Sequence, residues 1–225
     1  MTALVGVVPA AGYATRLQPL RGSKEMIAVD GRPVVDFLLD RLRAAPCDAI
    51  RVVTRPAKTD LVTHAERLGL DVVLAEPASV TESLLAGVSG LGDEDVVCFG
   101  FPDTLWEPRD GFARLVGALS GDIGLALGLF RGAELERCDV TSVGTDGRVL
   151  GIDVKPARPR SPWIWGCAAA RADVLRAVDD PEPGVYFDRV ARDGPWGVTG
   201  VPLGDEFRDI GTPSALAALG EEPAG

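Results

Sequence analysis

Two cations follow the first apolar run of the chain at a spacing that suits anion binding. Residues 4–8 run into Pro9-Ala10-Ala11-Gly12-Tyr13-Ala14-Thr15-Arg16-Leu17, and Lys24-Glu25-Met26 comes one short loop later. Small residues let backbone N–H groups approach a phosphate, and successive N–H groups can form an anion nest. Arg16 offers a planar fork to two phosphate oxygens, and Lys24 a compact charge. The plainer reading is a tight strand-to-helix turn with two surface cations, and spacing alone does not separate the two. The loop is neither a P-loop nor GxGxxG, because Gly22-Ser23-Lys24-Glu25 lacks the upstream glycine and the hydroxyl after lysine.

Two acids have the complementary character. Asp103 ends Phe99-Gly100-Phe101-Pro102-Asp103, and Asp209 sits in Phe207-Arg208-Asp209-Ile210-Gly211-Thr212-Pro213. A carboxylate just past an apolar strand is a poor core residue and a good Mg²⁺ ligand, since magnesium keeps several waters and takes one or two protein carboxylates. Each acid is equally explicable by itself as a cap or turn residue. Beside Asp209, however, Thr212 is the better cap. His64, the single histidine, lies in the polar helical stretch 58–68 and is expected on a solvated face. With no GxSxG elbow there is no sign of a Ser-His-Asp triad. Cys47, Cys98, Cys138 and Cys167 are dispersed with no CxxC pair, which predicts buried thiols rather than disulfides or zinc.

The elements that must position these groups follow from the apolar pattern. Strands are expected at 4–8, 50–53, 71–74 and 95–99, with helices from Pro33, around 60–68 and at 81–88. Three strand–helix–strand passages imply a parallel sheet with right-handed crossovers. The second half differs. Apolar runs at 123–130, 140–143 and 149–153 flank Asp146-Gly147, a hairpin signal. Further strands are expected at 163–168 and 198–203, and helices at 172–178, 186–192 and 214–219, with a frayed tail at 221–225. The fold class is α/β: a Rossmann-like, mixed but mostly parallel sheet flanked by helices, with an antiparallel insertion. One domain over 1–225 is expected, with a first half at 1–120 and a second at 121–220. The 225 residues hold 23 Lys+Arg against 33 Asp+Glu, a net charge of −10, which argues against a general nucleic-acid binder. No apolar run approaches membrane-spanning length, and the start has no basic n-region, so a cytoplasmic protein is expected.

Together these pieces resemble a known family. VVPAAGYATRLQPL-RGSKEM closely resembles the signature loop of the sugar-1-phosphate nucleotidylyltransferases, which include the glucose-1-phosphate thymidylyl- and uridylyltransferases. Phe101-Pro102-Asp103 looks like that family's metal-binding aspartate, Val154-Lys155-Pro156 like its Glu-Lys-Pro element, and Asp209-Ile210-Gly211-Thr212-Pro213 like its C-terminal metal-binding stretch. All four occur in family order over residues 3–217. The resemblance implies a Mg²⁺-dependent joining of an NTP to a phosphate-bearing acceptor with release of pyrophosphate. Arg16 and Lys24 would hold the triphosphate, Asp103 and Asp209 the Mg²⁺, and Lys155 the acceptor phosphate. Ala10, Ala11 and Gly12 would contact the nucleotide by backbone.

Departures from the family pattern fall where specificity would be set. Ala11 and Ala14 stand where many members have glycine, and Ala14 therefore needs a permitted φ. Glu76 aligns with the base-reading glutamine and Thr81 with a glycine near the base. An ionised Glu76 only accepts hydrogen bonds, which suits a pyrimidine N3–H or a cytosine amino group. On the acceptor side, Asp139 falls near a sugar-contacting glycine, and Val154 replaces a sugar-binding glutamate. Trp163, Trp165, Tyr186 and Trp196 populate the same half. Core packing explains most of those rings as well; held by them and one carboxylate, an aminoalkyl phosphate or phosphonate is the alternative acceptor to a sugar 1-phosphate.

Overall fold

A strand covered on both faces reads as an unbroken apolar run. Strand β1, Leu4–Pro9, is such a strand, with its four central residues buried. The computed structural model describes residues 2–132 and 134–217. The tail expected at 221–225, and the last two residues of the helix expected at 214–219, lie outside the described residues. After β1 come two single 3₁₀ turns, Thr15–Leu17 and Lys24–Met26, then the small hairpin β2 (Ala28–Val29) and β3 (Arg32–Pro33), then α1 (Val35–Ala44). Pro33 is paired with Ala28 in this hairpin and does not open the helix. A residue with fixed φ and no N–H suits such an edge as well as it suits a first helical turn.

The chain continues through β4 (Ala49–Thr54), α2 (Thr59–Arg67), β5 (Asp71–Leu74), α3 (Val80–Gly87) and β6 (Val96–Gly100). Strand β1 pairs in parallel with both β4 and β6, and β4 with β5. The expected crossovers are therefore present, and Ser79 caps α3 by accepting from Glu82 N–H at 3.1 Å. Next follow β7 (Thr104–Trp106), α4 (Gly111–Ala118), β8 (Ile123–Arg131), β9 (Asp139–Val143), β10 (Val149–Val154) and β11 (Trp163–Arg171). The chain then forms α5 (Ala172–Arg176), α6 (Pro183–Asp193), β12 (Gly197–Gly204), β13 (Phe207–Asp209) and α7 (Pro213–Ala217). The main sheet runs β10-β9-β11-β6-β1-β4-β5, with β8 on β11 and β12 on β8. Strands β9 and β10 form the expected antiparallel hairpin, and Gly147 supplies the positive φ of 82° at its turn. Strands β7 and β13 and helix α4 have no counterpart in the sequence pattern.

Helices pack both faces of the sheet. All four thiols are free; Cys98 and Cys167 are buried as expected, whereas Cys47 and Cys138 are only partly buried. His64 is a correction, because it is buried and not solvated. Leu61, His64 and Ala65 share one face of α2 turned toward the protein interior. There His64 Nε2 lies 2.7 Å from Asp36 Oδ1 on α1, and Arg67 lies 2.9 Å from Nδ1. Arginine can only donate, so Nδ1 accepts and Nε2–H donates to Asp36. No helix among the described residues is long and apolar enough to cross a membrane.

A third, smaller cluster matters most for function. Leu17, Val29, Val34, Ile210 and Leu216 are buried together, with Leu20, Ile27, Phe37 and Leu105 against them. It fastens the residue after Arg16 to the residue after Asp209, two points nearly a chain length apart. Ile210 is 1% exposed, so Ile210→Ala should cost about 2–5 kcal/mol in urea unfolding. A cost under about 0.5 kcal/mol would show that the cluster does not hold the C-terminal stretch in place.

Candidate active site

The loop after β1 is held from one side by the turn between β4 and α2. Ala10 N–H donates to the Val53 carbonyl at 2.8 Å, extending the β1–β4 ladder. Lys58 Nζ donates to the Ala10 carbonyl at 2.7 Å and to both Glu25 oxygens at 2.8 and 2.9 Å. Glu25 is fully buried. Burial pushes its carboxyl up and the Lys58 ammonium down, and their mutual attraction opposes both shifts. Asp60 accepts from both the backbone N–H and the hydroxyl of Ser23. Both ends of the loop are thus anchored, and Lys24 is placed between two fixed neighbours. Within the loop, Ala14 has φ 53° and ψ 37°. A left-handed residue with a Cβ costs about 1–2 kcal/mol, and this one caps the Thr15–Leu17 turn that carries Arg16.

The short ladder of β7 and β13 brings the two acids together. Asp209 pairs with Thr104, and Ile210 N–H donates to the Asp103 carbonyl at 3.0 Å. Lys24 Nζ lies 2.6 Å from Asp103 Oδ2. Gly211 sits between the carboxylates: a Cβ there would fall 2.8 Å from Asp209 Oδ1 and 3.1 Å from Asp103 Oδ2. Ala14, Thr15, Arg16, Lys24, Asp103, Asp209 and Gly211 line one cavity of about 200 Å³. Burial alone would lower the Lys24 ammonium, but the charge and hydrogen bond of Asp103, then Glu25 and Asp209, outweigh it and hold it above the usual lysine value. Asp209 is pushed up by desolvation first and by the Asp103 charge second, against the Gly211 N–H, Lys24 and Arg16. Its residue surface stays open to solvent, which moderates that shift. Thr212 takes the capping role at α7, its hydroxyl accepting from Ala215 N–H at 3.2 Å.

Asp139 and Lys155 form a second corner. Asp139 pairs with Val154 across β9 and β10, so Lys155 follows directly beside it. Lys155 Nζ meets both oxygens of Glu182 at 2.8 Å, half exposed. Asp139 accepts from Trp165 Nε1 at 3.3 Å and lies against Gly184, where a Cβ would come within 2.3 Å of it. Burial raises the Asp139 carboxyl, and Lys155 opposes the rise. The Cys138 thiol is raised by burial first and then by the negative charges of Asp209 and Asp139.

The nucleotide contacts need two corrections. Ala10 has both backbone polar groups engaged, its N–H by Val53 and its carbonyl by Lys58. The Ala11 N–H and the Gly12 peptide remain the open backbone groups of that stretch. Thr81 is 5% exposed and its hydroxyl is spent on the Asp180 carbonyl in the α5–α6 connection, so it is not an open group for a base. Glu76 is exposed just past β5. The framework residues Glu25, Arg55, Lys58 and Asp60 went unread in the sequence. The signal available for three of them was position, since they follow the carboxyl end of a parallel strand, where α/β sheets gather ligands.

Residues 6–180 match the model of the MobA-like NTP transferase domain. The chain belongs to that family. Among curated relatives of this NTP transferase domain, the glucose-1-phosphate thymidylyltransferase of Streptomyces antibioticus is 28% identical over 171 residues, 69% of this chain and 46% of that protein. That of Neisseria meningitidis serogroup A is 26% identical over 167 residues, 70% of this chain and 58% of that protein. The chain spans about half the length of these relatives. A putative glucose-1-phosphate thymidylyltransferase from Bacillus anthracis superposes with a TM-score of 0.79 at 17% identity, covering 96% of this chain and 94% of that one. A UTP-bound UGPase from Acinetobacter baumannii gives 0.77 at 16%, covering 97% and 92%. These likenesses establish the Rossmann-like, mostly parallel mixed fold.

Asp209 has a higher pKa folded than free, so ionising it destabilises the metal-free protein, increasingly as pH rises from its ordinary value toward the raised one. Asp209→Asn should therefore stabilise the chelator-treated protein in urea at pH 7, with the gain fading below about pH 3.9. No gain at pH 7 would show that Gly211 and the cations already offset the repulsion.

Proposed function

We propose that this NTP transferase domain joins a nucleoside triphosphate, with a pyrimidine base favoured, to a sugar 1-phosphate and releases pyrophosphate. The observation that carries this reading is the meeting of Arg16, Lys24, Asp103 and Asp209 around one small cavity. Residues 1–120 form the nucleotide-binding half and 121–220 the acceptor-binding half. The acceptor phosphate has a second pKa near ~6, so at pH 7 it is already a dianionic nucleophile and needs no general base. An acceptor oxygen attacks the α-phosphorus in line. That new P–O bond forms as the bond from the α-phosphorus to the β-phosphate bridging oxygen breaks, and pyrophosphate leaves with the electron pair. What remains for the protein is positioning and charge. Arg16 and Lys24 hold the triphosphate and take up charge developing on the leaving group. Lys155 holds the acceptor phosphate once Glu182 yields it, and Asp139 accepts from an acceptor hydroxyl. The Ala11 N–H and the Gly12 peptide face the nucleotide, and Glu76 accepts from the base.

The residues fit a divalent cation. Two carboxylates flank a glycine whose missing Cβ leaves the space between them, and no cluster of three or more metal-binding side chains occurs among the described residues. That donor set suits Mg²⁺, which completes its shell with water and phosphate oxygens. Asp103 and Asp209 would hold the ion, which would supply positive charge to the reacting phosphates. The names of the relatives and the UTP-bound neighbour support an NTP and a sugar phosphate as the two partners. The aminoalkyl phosphate alternative finds less support, because the aromatic faces are engaged. Trp165 packs on Phe99, Phe101 and Phe187, Tyr186 lies under Arg189, Trp163 under Arg131, and Trp196 against Gly124.

A pyrophosphate-release assay crossing four NTPs with sugar 1-phosphates, phosphocholine and aminoethylphosphonate tests the reaction. Release with no pair would reject it. Lys24→Ala should lower kcat/KM by about 10²–10³-fold with folding intact, and near-normal turnover would remove Lys24 from the site. Asp103→Asn should move the Mg²⁺ titration midpoint upward by at least about tenfold. An unchanged midpoint would make Asp103 a structural residue.

A further inference from the structure

Buried charges in this fold are paired, with one exception among the described residues. Glu25 has Lys58 and Arg41 has Glu107. Arg55, 7% exposed, has no carboxylate within ion-pair distance. It donates instead from Nε to the Ala11 carbonyl at 2.6 Å and from Nη2 to the Pro77 carbonyl. The Tyr13 ring covers its guanidinium, centroid to Cζ 3.8 Å. Burying a cation without a counter-charge is costly, by several kcal/mol before compensation. This cation also lines a second cavity of about 410 Å³ together with Gly12, Tyr13, Lys24 and Lys58.

Its place in the sheet explains its reach. Strand β4 lies between β1 and β5, so the first residue after β4 can touch the loops that follow both neighbours. Ala11 belongs to the loop after β1, and Pro77 to the loop after β5, next to Glu76. A planar guanidinium holds two acceptors at a fixed separation, which a lysine ammonium on its flexible stem does not. We infer that Arg55 is a positioning residue for nucleotide recognition: its fork fixes the gap between these two loops, and the anionic nucleotide supplies its missing counter-charge. The inference rests on the nucleotidyltransferase reading and extends it to how bases are told apart. A slot of fixed width discriminates by leaving the wrong base's polar groups unpaired, and a loosened slot forgives them. Arg16, Asp103 and Asp209 stand in the other cavity, which shares only Ala14 and Lys24 with this one, so Arg55 lines none of the surface that carries the two acids.

The test is equilibrium titration of wild type, Arg55→Lys and Tyr13→Ala with UTP, dTTP, CTP, ATP and GTP, alongside turnover at saturating NTP. Arg55→Lys keeps the charge and loses the two-carbonyl span. It should weaken the best NTP about tenfold, shrink the ratio between best and worst base several-fold, and leave kcat within about threefold. Tyr13 is 68% exposed, so Tyr13→Ala preserves the fold should Arg55→Lys not. It should shrink the same ratio to a lesser degree. A merely structural arginine would lower the melting temperature and leave the base ratio where it was. A ratio within about twofold of wild type in a folded variant overturns the inference. Wild type that binds NTPs selectively but releases no pyrophosphate rejects the proposed reaction while the base ratio still decides Arg55. Wild type that binds none of the five overturns both.

Discussion

Two carboxylates held close together across a glycine are the constraint on which this molecule turns. Like charges at such a range repel, and Asp209 shows it in a carboxyl raised by desolvation and by Asp103. Nothing in the packing of a stable core asks for that arrangement. Lys24, 2.6 Å from Asp103, offsets part of the cost, and Arg16 a smaller part. Around these groups the surrounding structure reads as a set of braces, each holding a charged residue in a place it would not occupy unaided.

The braces are unequal in kind. The acids are brought together by backbone, through the β7–β13 ladder and the bond from Ile210 N–H to the Asp103 carbonyl. The cations are brought in by side chains, through Lys58 on Glu25 and Asp60 on Ser23. An apolar cluster, with Leu17 beside Arg16 and Ile210 beside Asp209, ties the two systems. Burial there is non-directional, while the ladder and the ion pair set orientation. That division suits a site whose groups must be aimed within a fraction of an ångström.

Much of the fold was legible because parallel strands buried on both faces leave apolar runs between amphipathic helices. Strands β1, β4 and β6 were visible for that reason, β5 from its short apolar run although it lies at the sheet edge with no residue fully buried, and the β9–β10 hairpin from Asp146-Gly147. Strands β7 and β13 were not, since three residues such as Thr104-Leu105-Trp106 carry no periodicity. Their pairing spans about half the chain, beyond any local window. His64 was misplaced because its stretch is polar in composition, yet one face of α2 turns inward and Asp36 satisfies the ring there. At the site, the four charged residues were readable from family resemblance. Thr81 and Ala10 were misread because alignment supplies a position and says nothing of which hydrogen bonds are already made. Arg55 drew no notice, as an arginine after a strand is ordinarily a surface residue.

The β7–β13 ladder also sets the order in which the site comes into being. A chain leaves the ribosome amino end first, and domains can begin to gather before synthesis ends. The anchored loop, Lys24 and Asp103 are all available early, whereas Asp209 is supplied by a strand near the far end of the described chain. A nascent polypeptide thus carries the cationic arm and one acid before the other acid is made. Until the last strand pairs, it lacks the paired acids that would attract a doubly charged ion.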